Sequence, residues 1–206
     1  MRKLLLLLCL ILPCLAGARG LSFNEEMHGT AYYQGEYRHV SVVFKIVIND
    51  IDAWRANQNY AATVIGTLYL ERLPAQAVTG TLQILAPAPG DDGRLLTYRF
   101  AGAGLQYLGV KHVRDDGGFD MVDDMTTLHG VFLPAGQALP SVQDLLYGAL
   151  WSSELQFEWW KVDVLWDFST SFTTIATPWY DTLGVKILFL KTILGDLAQV
   201  FFPWAV

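Results

Sequence analysis

Alternating apolar and polar positions dominate the first half of the chain. Phe44, Ile46 and Ile48 share one face of an extended segment while Val43, Lys45 and Val47 take the other, the period-two pattern of a half-buried strand. Asn49-Asp50 ends it, and Asp50 or Asp52 is placed to cap a short helical turn carrying Trp54. Val64-Ile65-Gly66-Thr67-Leu68 is then echoed by Val78-Thr79-Gly80-Thr81-Leu82. This pair predicts one hairpin, with glycine at matched positions for a bulge or a close backbone approach. Pro87 to Gly93 is dense in turn residues and predicts a break. Leu96, Tyr98 and Phe100 alternate in a following strand, and Leu105 to Arg114 and Thr126 to Leu133 predict two more. Short strands at this spacing, with little helix between them, indicate an antiparallel sandwich or barrel.

The last third changes character. Phe157, Trp159, Val162, Val164 and Trp166 fit a strand with a slip near Trp160, whereas Leu165, Phe168, Phe172 and Ile175 have helical spacing. From Thr182 to about Phe202 the period is helical. Leu190, Ile193, Leu194, Leu197, Val200 and Phe201 are expected on the buried face, with Lys191, Gly195, Asp196 and Gln199 opposite. The expected fold is therefore mainly β over 21–176, with an amphipathic C-terminal helical segment over 177–206 that packs on the domain or lies on a membrane or partner.

The N-terminus reads differently. Arg2 and Lys3 precede the apolar run Leu4 to Leu15, and Ala16-Gly17-Ala18 supplies a small-residue exit, the pattern of a cleavable secretory signal over 1–18, with Gly20 as an alternative cleavage point. Twelve apolar residues reach only about 18 Å as a helix, short of the roughly 20 residues a spanning helix needs. Pro13 before Cys14 fits a lipidation signal poorly, so simple cleavage is preferred. Cleavage removes Cys9 and Cys14, the only cysteines, and excludes a disulfide framework, a Cys–zinc site and a thiol nucleophile. The expected location is extracytoplasmic, periplasmic or secreted.

Composition narrows the partners. Losing Arg2 and Lys3 leaves twelve basic residues against twenty acidic ones, a formal charge of −8. Phosphate binding needs clustered Lys and Arg, so nucleic acid is excluded as a partner. With 52% hydrophobic and 13% aromatic residues the chain can fill a core without staples.

Candidate chemistry is sparse. Asp115, Asp116, Asp120, Asp123 and Asp124 crowd one loop, and calcium takes several oxygen ligands from such a segment, although the spacing is not that of an EF-hand. The alternative is a solvated turn whose carboxylates cap local amides. His112 and His129 lie on neighbouring predicted strands, where Asp116 or Asp120 beside them would make a general base for a small hydrolase or a weak metal site. Glu25-Glu26 and Glu154/Glu158 are paired acids with no mark of a glycosidase couple. Trp151, Trp159, Trp160, Trp166 and Trp179 serve either as packing or as the lining of an apolar pocket for a sterol or acyl chain.

Several segments together resemble an accessory domain attached to cholesterol-oxidase-like members of the glucose–methanol–choline flavin oxidoreductases. They are Phe23-Asn24-Glu25-Glu26-Met27-His28-Gly29, an F-x-E-x-M-x-G opening, then Ile48 to Trp54, Val64 to Leu68, and Gly109-Val110-Lys111-His112-Val113-Arg114-Asp115-Asp116-Gly117-Gly118-Phe119-Asp120, running on to Asp124 and Thr126-Thr127-Leu128. The last is similar to G-x-K-x-x-x-D-D-P-G-x-D-x-W-x-D-T-T-T-L, departing at Gly117, Val122 and Met125. The flavin motif is absent, so the resemblance implies a non-enzymatic module in a lipid or sterol setting, with an oxidoreductase as its partner. No cofactor follows from it.

Overall fold

The computed structural model describes residues 18–57, 59–102, 104–116, 121–148 and 150–202. The expected signal segment, Ala18 apart, and Asp120 of the acidic loop lie outside the described residues.

Eight strands follow one another as an antiparallel meander: β1 (Gly20–Tyr33), β2 (Glu36–Ile48), β3 (Ala61–Leu70), β4 (Gln76–Pro87), β5 (Arg94–Gly102), β6 (Leu105–Val113), β7 (Thr127–Pro134) and β8 (Ser153–Gln156). Each pairs with the next, and β1 closes the ring by pairing with β2 from Leu21↔Ile48 to Tyr33↔Glu36 and with β8 from His28↔Gln156 to Ala31↔Ser153. Of the two architectures expected, the barrel is formed. A ninth short strand, β9 (Thr173–Ile175), is added to the start of β1.

The alternation seen in the sequence sorts side chains between the inside and outside of this barrel. Phe44, Ile46 and Ile48 point inward with Met27, Val64, Leu68, Val78 and Leu82, and all are buried. A barrel of this strand number has an interior just wide enough for side chains to fill. Here one half is filled by an aromatic cluster, Phe100 stacked on Tyr107 at 4.7 Å between centroids and Tyr107 at 4.4 Å from Phe132.

The echoed segments are the two strands of one hairpin, with Gly66 opposite Val78 and Gly80 opposite Val64. Both glycines serve close approach: a Cβ at Gly66 would sit 2.2 Å from the Val43 carbonyl oxygen, and one at Gly80 would sit 1.9 Å from that of Arg99. The bulge lies further on, between Gln83 and Ala86, where Leu85 takes a positive φ of 54°. It brings the consecutive Ile84 and Leu85 side chains into the buried region, as an extra residue in one strand does.

Among the described residues five helices decorate the barrel. In α1 (Ile51–Ala56) the Asp50 carboxylate accepts from the amides of Asp52 and Ala53 at 3.0 and 3.1 Å, the cap expected from the sequence, and Trp54 is buried. α2 (Met121–Thr126) follows the acidic loop. α3 (Val142–Tyr147) covers the outer face of β6, where Leu145 packs on Leu108 and Val110. The segment around Phe157 to Trp166 departs from the strand expectation, because β8 stops at Gln156 and α4 (Val162–Thr170) takes over. The apolar residues there answer to the roof of the barrel, where Phe168 meets Phe23 and Phe157 at 5.9 and 5.2 Å.

After a 3-10 turn at Trp179–Asp181 comes α5 (Thr182–Phe201). Its orientation keeps most of the expected face, with Ile193, Leu197 and Phe201 packed on the core beside Val200, and corrects the rest. Val185, Phe189, Asp196 and Val200 are the buried positions, while Leu190 and Leu194 face solvent. Asp196, expected outside, faces the barrel with its Oδ1 at 4.0 Å from Arg94, whose guanidinium also donates to Gln199 at 2.6 Å. Arg55 adds a hydrogen bond to Thr192 at 3.0 Å.

Candidate functional site

The roof helices and the barrel wall line a partly open cavity of about 260 Å³, bounded by Phe23, Leu82, Ile84, Leu85, Leu96, Phe157, Phe168, Phe172, Phe189, Leu190 and Ile193. Three polar side chains, Glu25, Tyr98 and Lys111, enter this otherwise apolar wall, with Thr126 beside them. Each is carried inward by strand alternation: Glu25 is in phase with Phe23 and Met27, Tyr98 with Leu96 and Phe100, and Lys111 with Tyr107 and Val113.

The three form one hydrogen-bonded unit. Lys111 Nζ donates to Glu25 Oε1 at 2.6 Å, and the Tyr98 hydroxyl donates to Glu25 Oε2 at 2.7 Å, so each carboxylate oxygen has its own donor. The ammonium also lies 5.2 Å from the centre of the Tyr98 ring, within cation–π range. The Lys111 side chain is 1% exposed and that of Glu25 9%. Burial, followed by the charge of Glu25 and the hydrogen bond to it, pushes the Tyr98 phenol well above its ordinary value. Tyr98 therefore remains a donor at neutral pH.

Such an arrangement is costly to build. Removing two charges from water carries a penalty that their attraction offsets only when geometry is good and the remaining lone pairs and protons are satisfied. A lysine ammonium carries three N–H donors, of which Glu25 engages one. An oxygen atom placed in the cavity can take another.

The sites expected from sequence fall elsewhere. Trp151, Trp159, Trp160, Trp166 and Trp179 are all exposed, and none lines this cavity. Trp151 stacks on His129 at 4.1 Å, and its indole N–H donates to the Leu145 carbonyl. In the acidic loop the Arg114 amide donates to Asp124 at 3.1 Å and its guanidinium to Asp116 at 3.1 Å, while Asp123 lies in the first turn of α2. Asp115 precedes them. Among the described residues no three His, Cys, Asp or Glu side chains converge as metal ligands.

His112 and His129 both occupy outward positions and have separate carboxylates. His112 Nε2 lies 3.0 Å from Asp91, and His129 Nδ1 lies 4.0 Å from Glu154. Burial holds the His129 imidazole below its ordinary value, against the opposing pull of Glu154. Of the two aspartates expected beside these histidines, Asp116 pairs with Arg114 and Asp120 lies outside the described residues.

No protein-family model, no curated protein and no solved structure matches the chain. The buried pair lies in two of the segments singled out in the sequence, 23–29 and 109–120. Glu25 is the E of F-x-E-x-M-x-G, and Lys111 is the K of G-x-K. In the first motif Phe23, Glu25, Met27 and Gly29 are alternate residues of β1, the phase that faces the barrel interior.

Proposed function

We propose that the protein is an exported binder of a compact apolar molecule with one oxygen-bearing end, held inside the barrel with that end on Lys111. The observation that carries this reading is the buried Glu25–Lys111–Tyr98 unit in an otherwise apolar cavity. Few polar groups converging in an apolar concavity is the usual composition of a small-ligand site. The cavity lies below the roughly 300–1,000 Å³ of drug-sized-ligand pockets, which favours a short acyl chain or a small ring system over a four-ring sterol. The resemblance to an oxidase accessory domain suggests a setting for such a binder, namely keeping a lipid accessible to a partner oxidoreductase outside the cytoplasm.

The test is displacement of anilinonaphthalene sulfonate from the purified protein by fatty acids and fatty alcohols of graded length. Affinity is expected to rise roughly fourfold for each added methylene, from about 0.8 kcal/mol of burial apiece, and to stop rising once the cavity is full. Lys111→Met should flatten the preference for an oxygen-bearing end. A dye that does not bind, or a length series without a plateau that is indifferent to Lys111→Met, overturns the reading.

A further inference from the structure

The roof of the cavity is also apolar on its outer side. In α5 the residues turned to the barrel include Val185, Phe189 and Val200. Leu183, Ile187, Leu190 and Leu194 recur at intervals of four, three and four, so they form a single stripe along the other side, 68%, 54%, 51% and 64% exposed. A helix that only caps a barrel has no need of this second stripe.

The charges around the stripe are arranged with it. At about 100° per residue, Lys186 and Lys191 fall about 70° to either side of its centre. The only acid of the helix, Asp196, is buried beside Arg94 on the opposite side. The exposed charge of α5 is therefore wholly positive, in a chain of formal net charge −6. The turn entering the helix adds Trp179 and Tyr180, 89% and 74% exposed.

We propose that α5 is a lipid-docking helix that lies in the plane of an anionic membrane surface, with its Leu183–Leu194 stripe among the acyl chains. Lysines flanking an apolar stripe can bury their stems and keep their ammonium groups at the headgroups. Trp and Tyr are the residues that settle at that boundary. The positive flanks complement anionic headgroups, whereas the rest of the chain is repelled by them, which orients the molecule with α5 downward. Leu190 belongs to both surfaces, lining the cavity and standing in the outer stripe. The docked helix thus places the cavity roof against the source of an apolar ligand. No described helix is long and apolar enough to cross a membrane, so the contact is superficial.

Flotation of the purified full protein with phosphatidylcholine vesicles, with and without phosphatidylglycerol, tests this. Binding is expected with the anionic vesicles, with a blue shift of tryptophan emission, and should weaken with salt. Ile187→Glu with Leu194→Glu should reduce it by about tenfold or more, given the apolar area withdrawn, while leaving the melting temperature unchanged. Lys186→Glu with Lys191→Glu should abolish the preference for phosphatidylglycerol. The Glu25→Gln/Lys111→Met double variant, which strands no buried charge and leaves the outer stripe untouched, should float like the wild type, so failure of the ligand reading and failure of docking are separable. No flotation at low salt, binding indifferent to Ile187→Glu/Leu194→Glu, or a wild-type dimer that these substitutions convert to a monomer would overturn the proposal.

Discussion

The ammonium of Lys111 lies 2.6 Å from a carboxylate oxygen of Glu25, although 86 positions separate them in the chain and both side chains are nearly sealed from water. Breaking a buried pair by removing one partner strands the other charge, at a cost of about 3–5 kcal/mol. Glu25→Gln and Lys111→Met are each expected to lose stability on that scale in urea unfolding. The double variant should be more stable than either single one, and additive losses would show that the two groups are not coupled.

Tyr98→Phe removes a donor to a charged acceptor and should cost about 1.5–3 kcal/mol. The phenol also sets a pH limit. Tyr98 and Tyr107 are both held above their ordinary value of 10.0, in each case first by burial. The unfolded chain therefore gives up these protons more readily than the folded one. Their contribution to stability is complete below pH 10.0 and is lost as pH rises beyond it. Melting curves should fall steeply in that range, and Tyr107→Phe should make the fall shallower.

Asp196 behaves in the opposite sense from a helpful surface acid. Burial raises its carboxyl above the usual 3.8, and Arg94 only partly opposes this. The folded state thus holds the proton more tightly than the unfolded one, and stability declines as pH rises from 3.8 through the raised value. Asp196→Asn is expected to raise the melting temperature at neutral pH and to make no difference below 3.8.

The close strand contacts predict intolerance to small additions. A Cβ at Gly29 would sit 1.9 Å from the Glu154 carbonyl oxygen, as close as the one at Gly80 to Arg99. Backbone cannot yield as a flexible side chain does, so Gly29→Ala and Gly80→Ala should each cost about 1–3 kcal/mol or more in thermal unfolding. Gly35 has open space around its Cβ position but a φ of +89°, so its alanine variant should show a smaller loss from backbone strain alone.

Two cleavage points suit the proposed export signal, and the fold favours one. Arg19 reaches Asp52 at 2.7 Å and Asp181 at 2.6 Å, and its carbonyl accepts from the Ile51 amide at 2.7 Å. Cleavage after Gly20 would remove these ties and the first residue of β1. The exported protein is expected to begin at Arg19 by N-terminal sequencing, and one beginning at Leu21 would contradict this.

The strands were legible because a barrel has a dry inside and a wet outside, and Phe44-Ile46-Ile48 or Leu96-Tyr98-Phe100 record that difference directly. The buried pair left a signal that was passed over: a glutamate and a lysine each occupy the phase of their apolar neighbours. What no local pattern supplies is that the two meet, since this depends on the curvature and closure of the whole sheet. The buried face of α5 is legible at Ile193, Leu197, Val200 and Phe201, whereas Leu190 and Leu194 lie outside it and Asp196 within it, for a related reason. A helix apolar on opposite sides has no period that singles out the buried one, and the contacts that go with the choice, Asp196 with Arg94 and Thr192 with Arg55, join residues far apart in the chain. The tryptophans misled because their bulk suggests interior packing, whereas an amphipathic ring is equally suited to a boundary with lipid.

The closure of the barrel has a consequence in time. Every other strand pair of the eight-stranded ring joins neighbours in sequence and can form as the chain lengthens, but β1 cannot meet β8 until Ser153–Gln156 exists. Until then the sheet is open, with β1 and the most recent strand exposing unpaired amides and carbonyls. Contacts between distant segments are slow to form, and open edges invite pairing with other chains. A chain truncated before Ser153 should therefore retain most of its hairpins yet aggregate, so the last few residues of the barrel wall decide whether the rest remains a monomer.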